Sequence, residues 1–297
     1  MAIPFIREFE AHYEVSEPVT PLIRRVLARN PSAFTFKGTG VYFIGHKDVA
    51  VVDPGPDLPE HIQALKRALQ GLSVTHILVT HTHTDHSPAA KWLKEFTGAK
   101  TYGFGPHGSG KVEEGVKVEE GGDMDFVPDV AVRDGDIIRG RDWTIECVFT
   151  PGHTSNHMCF ALQEEKVLFT GDHVMGWSTT VVTPPDGDMR AYMASLRNLL
   201  ARDDRMLVPT HGAPVKEPKP FIQAYIDHRL DREAQILACI RDGLSTIPDM
   251  VARMYADVDK RLHPAASRSV LAHLIQLVAE GRVRVDGVGA QARYFSV

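Results

Sequence analysis

The sequence predicts an α/β fold followed by a small C-terminal domain of helices and a hairpin. Three observations carry that prediction. Short β-branched runs early in the chain form a meander that gives way to a strand–helix–strand order. The stretch from residue 137 to 211 runs through strands and a helix in the same order. Beyond residue 218 the apolar period becomes helical and ends in an alternating stretch.

Each element can be read in turn. Residues 1–30 carry scattered apolar groups and close on Ala28-Arg29-Asn30-Pro31, a turn signal, so they read as an edge strand or a wrapping loop. Residues 33–36, 41–44 and 49–52 read as successive antiparallel strands, separated by Gly38-Thr39-Gly40 and Gly45-His46-Lys47-Asp48 and closed by Asp53-Pro54-Gly55-Pro56. Ile62, Leu65, Ala68 and Leu69 fall at helical spacing over 59–69, and Thr75-His76-Ile77-Leu78-Val79-Thr80 reads as a buried strand. A helix should follow residue 87, with Ser87 as its cap, Pro88 at its first position and Ala89, Trp92, Leu93 and Phe96 on one face. Residues 99–102 form a short strand, and 103–125 read as a long exposed loop. Strands return at 137–138, 143–149, 157–162 and 167–170, a helix at 189–200 and a last strand at 206–208. A long helix over 218–243, ended by Gly243, should link a main domain at 1–218 to a small one at 244–297. There, helices over 248–256 and 263–280 precede an alternation around Asp286-Gly287 that reads as a hairpin, and His263 should cap the helix after Pro264. Helices followed by a terminal hairpin suggest a winged helix.

Composition narrows the function classes. In 297 residues, 43% hydrophobic content suffices for a substantial core, and no apolar run is long enough for a membrane span. Met1-Ala2-Ile3-Pro4-Phe5-Ile6-Arg7-Glu8 has charges where a signal peptide needs an apolar core, so a cytoplasmic location is expected. Cys147, Cys159 and Cys239 are odd in number and widely spaced, which predicts buried free thiols. A net charge of -5 disfavours nonspecific attraction to nucleic acid or anionic membranes.

The densest signal is His81-Thr82-His83-Thr84-Asp85-His86-Ser87, in which four of seven residues can bind a metal. It sits on a strand-to-helix turn, the place in α/β folds where ligands usually bind. A histidine tag would lie at a terminus and lack the aspartate. In an extended turn, two imidazoles can converge on one ion while Asp85 and His86 serve a second. Three further segments share the address at a strand's end: Thr150-Pro151-Gly152-His153, Thr170-Gly171-Asp172-His173 and Pro209-Thr210-His211-Gly212. Each is weak alone. Together with the cluster they supply seven ligands, which with one shared carboxylate match two open, catalytic sites rather than one closed structural site.

His81-x-His83-x-Asp85-His86, His153, Asp172 and His211 resemble the motif set of the metallo-β-lactamase superfamily. The resemblance implies an αβ/βα four-layer sandwich. It also implies one metal on His81, His83 and His153, a second on Asp85, His86 and His211, and Asp172 bridging both. Two zinc ions are the expected cofactors, with manganese or iron as alternatives. Asp172 stands where the best-known lactam-cleaving class has cysteine, and His86 where it has arginine, so β-lactam cleavage is not expected. Residues 219–297, with His228-Arg229, Arg232-Glu233 and Leu262-His263, resemble the winged-helix domain of one lactamase-like branch that includes a single-strand-specific endoribonuclease.

The implied chemistry is hydrolysis by a hydroxide bridging two metals, with Asp85 and Asp172 catalytic and His157 or His173 as supports or proton donors. The substrate is either an RNA phosphodiester in a single strand or a small acyl thioester, whose pocket would involve the loop over 177–190. Arg282, Arg284 and Arg293 are candidate nucleic-acid contacts, although near-neutral charge beyond residue 220 favours a packing or homodimer-forming module. A mono-iron persulfide dioxygenase and a nonenzymatic winged-helix binding protein are the alternatives from other classes.

Overall fold

The computed structural model describes residues 3–110 and 121–297. A seven-stranded mixed sheet takes its strands in chain order. They are β1 (Ser16–Pro18), β2 (Ile23–Leu27), β3 (Gly40–Ile44), β4 (Asp48–Val52), β5 (Ser73–Leu78), β6 (Lys100–Gly103) and β7 (Val130–Ala131). The first four are antiparallel, and β4 to β7 are parallel. Helices α1 (Pro59–Ala68) and α2 (Ala89–Thr97) make the crossovers before and after β5. The second sheet holds β8 (Ile137–Arg139), β9 (Thr144–Phe149), β10 (Met158–Leu162), β11 (Val167–Gly171) and β12 (Met206–Pro209), with α3 (Met189–Leu200) crossing from β11 to its parallel neighbour β12.

Strand alternation makes the layers. Tyr42 and Ile44 of β3 face Cys147, Phe160 and Phe169 of the second sheet, while Val41 and Phe43 turn the other way onto Leu65 and Leu93 of the helices. In the second sheet, Cys159, Ala161 and Leu168 face Tyr192 and Leu196 of α3 and Phe221 and Tyr225 of α4 (Pro218–Arg241). The order is therefore helices, sheet, sheet, helices, the four-layer sandwich expected from the sequence. After α4 come α5 (Ile247–Met254), α6 (His263–Ala279) and the hairpin of β13 (Val283–Asp286) and β14 (Arg293–Ser296). They close a core of their own around Ile236, Met250, Val270, Leu274, Leu277 and Tyr294. All three cysteines are free and buried.

Several local expectations give way to stronger local forces. Residues 33–36 form turns instead of a strand: Ser32 Oγ accepts from the Phe34 and Thr35 amides, Thr35 Oγ1 donates to Asn30 O, and Phe36 has φ of 55°. The true neighbour of β3 is β2, hidden in the sequence by Arg24 and Arg25. Arg25 is only 8% exposed because Glu17 pairs with it at 3.0 Å and the Phe9 ring lies 4.6 Å away. Ser87 does not cap α2; its hydroxyl donates to Asp123 at 2.6 Å, and Pro88 itself holds the cap position. His263 is the first residue of α6 and makes no side-chain cap. The ends of the 103–125 segment are docked, with Thr84 N donating to Gly121 O and Asp123 N to Thr82 O. Residues 111–120, the middle of that predicted loop, lie outside the described residues.

Phe160, fully buried between the sheets, tests the sandwich core. Phe160→Ala should lower the unfolding free energy by about 3–5 kcal/mol, read from chemical denaturation at constant slope.

Candidate metal centre

Five strands of the two sheets end at one edge of the sandwich, and each is followed by a residue that builds the site. β4 leads to Asp53, β5 to the 81–87 turn, β9 to His153, β11 to Asp172 and β12 to His211. Glycine lets two of these turns form. Gly152 has φ of 141°, and a side chain there would stand 2.3 Å from the Tyr192 backbone; Gly171 has φ of 50° and a side chain there would stand 2.6 Å from His157 Nε2. Each glycine immediately precedes a ligand candidate, so the backbone is turned just where the donor has to be aimed.

All seven predicted donors converge. His81 Nε2 lies 2.9 Å from His83 Nδ1, which lies 3.2 Å from His153 Nε2. Across the site His211 Nε2 lies 3.1 Å and His86 Nε2 3.5 Å from Asp85 Oδ2. Asp172 stands between the two groups: Oδ1 faces His211 at 3.4 Å and His86 at 3.6 Å, and Oδ2 faces His153 at 3.8 Å.

The far side of four of the five rings explains why their lone pairs point inward. His86 Nδ1 meets Asp53 Oδ2 at 2.9 Å, His153 Nδ1 donates to Val181 O at 2.6 Å and His211 Nδ1 to Gly38 O at 3.1 Å. His81 Nδ1 meets Thr80 Oγ1 at 3.1 Å. An imidazole whose outer nitrogen donates to the protein presents a bare lone pair on the other, the arrangement a metal ligand needs. Nitrogens this close repel unless a cation or proton lies between them, and His86 Nε2 and Asp172 Oδ1 are buried without a hydrogen-bond partner among the described residues. The donor set thus fits two divalent cations, one on His81, His83 and His153 and one on Asp85, His86 and His211.

Charge tells the same story. Burial and the neighbouring imidazoles push His81 and His83 far down, toward neutral rings. Burial also opposes charge on His86, but the carboxylates of Asp85, Asp172 and Asp53 outweigh it and hold that ring up at about 10. Against its own burial, Asp85 is held well below the ordinary carboxylate range by His86, His211 and His83. The carboxylate-rich half of the site therefore favours positive charge.

The remaining predicted residues are placed differently. His157 Nδ1 meets Thr150 Oγ1 at 2.9 Å, and its Nε2 accepts from the Asp172 amide at 3.3 Å, so both nitrogens are engaged. His173 is fully buried against the Tyr192 ring, and burial with His153 and Arg229 pushes it down to about 3. Arg282 pairs with Glu233 and Glu280, Arg284 lies over the Phe295 ring, and Arg293 donates to Ser245 Oγ. Asp53 is the residue sequence reading missed, taken for a turn former. It has no exposure, and besides His86 it accepts from Thr80 N at 2.8 Å, Thr80 Oγ1 at 2.7 Å and Thr210 Oγ1 at 3.0 Å. Its address directly after a strand, shared with the other four segments, was the available signal.

A family model described as the metallo-beta-lactamase superfamily matches residues 35–211, the span that carries all seven donors. The chain belongs to that superfamily, whose members of this kind are hydrolases. A second model, the beta-lactamase associated winged helix domain, matches residues 246–290, which contain α5, α6 and β13. The chain is 30% identical to an atrochrysone carboxyl ACP thioesterase of Claviceps purpurea over 95% of its own length and 88% of that protein. It is 32% identical to the beta-lactamase-like protein 2 homolog of Drosophila melanogaster, over 90% of this chain and 91% of that one. A crystal structure of a beta-lactamase domain protein from Burkholderia ambifaria shares the fold at a TM-score of 0.80 and 21% identity, covering 98% of this chain and 96% of that one.

Removing the Asp53 carboxylate should cost more than a surface ion pair, because His86 and two threonine hydroxyls lose a buried acceptor together. Asp53→Ala is expected to lower stability by about 3–5 kcal/mol and to reduce bound metal, measured by chemical denaturation and elemental analysis.

Proposed function

We propose that the protein is a binuclear metal-dependent thioesterase, hydrolysing the thioester of a small acyl group carried on a thiol. The observation that carries the reading is the placement of Asp172, with one oxygen toward His86 and His211 and the other toward His153. Two cations held there, zinc by preference for this imidazole and carboxylate set, would supply an activated water and a Lewis acid for the thioester carbonyl. The chain's own part is orientation. Asp85 Oδ2, with Thr39 Oγ1 at 3.5 Å, offers an acceptor for a proton of the attacking water. As the carbon–oxygen bond forms, the carbon–sulfur bond breaks, and the products are a carboxylic acid and a free thiol.

Three considerations favour the thioester over RNA. A relative 30% identical over 95% of the chain is named as an ACP thioesterase. A thiol of pKa about 8.5 leaves as the anion far more readily than an alkoxide does, so its departure needs little acid assistance. That suits a site where His157 and His173 are engaged or buried neutral, and we assign both to support, His157 beneath the Asp172 amide. On the winged-helix side, Arg282 is already ion-paired and Arg284, though exposed, stacks on the Phe295 ring. Among the described residues no helix is long and apolar enough to cross a membrane, and the free buried cysteines suit the reducing cytoplasm, where we place the protein.

Metal-loaded full-length protein should release thiol from a panel of acyl thioesters, followed with a thiol-reactive dye, and leave single-stranded RNA intact. The reverse outcome would sink the thioesterase assignment. Asp172→Ala should lose more activity than the ~10–100-fold typical of a residue behind a ligand. Elemental analysis should return two equivalents of zinc, whereas a single iron would favour the oxygenase alternative.

A further inference from the structure

Arg229 is the anomaly of α4. It is 4% exposed, and its Nε is buried with no partner among the described residues. On the C-terminal half, the arginine ion pairs among the described residues fall on Arg202, Arg253, Arg261 and Arg282, and Arg229 has none there. A guanidinium taken out of water without a carboxylate is costly, so the few partners it does have matter. What Arg229 does have is the Tyr192 ring, 5.2 Å from Cζ, and one strong acceptor, Thr180 O, which Nη2 reaches at 2.5 Å.

Thr180 is where the contacts lead back to the site. Its hydroxyl lies 2.8 Å from Asp172 O and 3.0 Å from His173 O, so its one proton is shared between the carbonyl of the bridging aspartate and that of the next residue. The next carbonyl along, Val181 O, accepts from His153 Nδ1. Two successive peptides are therefore engaged: the 180–181 carbonyl takes the Arg229 donor and the 181–182 carbonyl sets the ring of His153, while the Thr180 side chain reaches the Asp172 carbonyl. One turn earlier on the same face of α4, the Tyr225 hydroxyl lies 2.5 Å from both Met175 O and Ser178 O and accepts from Met175 N at 3.2 Å. The loop between Asp172 and α3 is thus clamped by two residues of a helix outside the sandwich sheets.

We propose that Arg229 is a positioning residue for the metal centre, holding the 180–181 peptide so that His153 and Asp172 aim their donors at the same ion. The inference rests on the binuclear reading of the site. A planar fork suits the task better than an ammonium, since Nη2 reaches the carbonyl while the delocalised group stays flat over Tyr192. The role is distinct from packing: a helix that only filled space would need neither a charge here nor a carbonyl to receive it.

The test uses the full chain stripped of metal and titrated with zinc alone against a chromophoric chelator, which reads each affinity without any substrate. Arg229→Met should weaken one of the two affinities by ~10–100-fold, and Arg229→Lys, which keeps the charge and can reach one acceptor, should fall between it and the wild type. Arg232→Ala, which removes a guanidinium stacked 4.5 Å from the Tyr255 ring away from the loop, should lower thermal stability and leave both zinc affinities unchanged. Unchanged affinities in Arg229→Met and Arg229→Lys would overturn the proposal. If the methionine variant does not fold, the lysine variant decides alone, by the same criterion. Asp172→Ala separates the two levels: if it keeps both zinc affinities the binuclear reading fails, and if it loses them while the Arg229 variants do not, only the positioning role falls.

Discussion

The carboxylate of Asp53 is the constraint on which the metal centre hangs. It belongs to the end of β4, yet its oxygens are shared by Thr80 at the end of β5, by Thr210 at the end of β12 and by His86 in the turn. Thr80 lies in the first half of the sandwich and Thr210 in the second, so one buried anion pins both sheets at the edge where their strands stop. Dehydrating such a group costs several kcal/mol, offset here because every contact is to a donor and hydrogen bonds to a charged group contribute about 1.5–3 kcal/mol each. Without it the two rows of ligand loops would have no shared reference point.

From that pin the site is assembled by direction more than by proximity. The imidazoles are turned by what stands behind them, an aspartate, two carbonyls and a threonine hydroxyl, and each backing group comes from a different part of the chain. Precision of this kind needs rigid supports. The strands supply it up to their last residue, and beyond that point Gly152 and Gly171 allow sharp turns that any side chain would obstruct. Asp85 stands with His86 and His211 on one side of the centre and three imidazoles without a carboxylate of their own on the other, so the two cation positions are chemically unlike.

The seven donors were legible in the sequence because four crowd into one strand-to-helix turn and the other three sit beside glycine directly after apolar runs, patterns independent of tertiary detail. The order of strands and helices was legible because their periods differ, whereas the stacking into four layers came from the family resemblance. Legibility failed where a side chain's partner lies far along the chain. Arg24 and Arg25 disguised an interior strand, because nothing local shows that Glu17 and Phe9 will cover Arg25. Phe34 and Phe36 suggested a strand, yet Ser32 and Thr35 offered the backbone nearer partners. Ser87 looked like a cap and instead serves Asp123, 36 residues away. Asp53 and Arg229 act entirely through such distant contacts, and their roles emerge only once the chain is folded.

Helix α4 has an implication for how this architecture can be recombined. At about 1.5 Å per residue its 24 residues span about 36 Å. Phe221, Ile222 and Tyr225 at one end belong to the core behind the second sheet, and Ile236, Cys239 and Ile240 at the other belong to the C-terminal core. The join between the two units is therefore a shared rod, not a hinge or a loose tether. A chimera that exchanged the terminal unit at the start of α4 would import a foreign Arg229 position along with it, and so would alter the neighbourhood of the metal ligands. The natural crossover point lies past residue 229, inside the helix, where a seam is hardest to make.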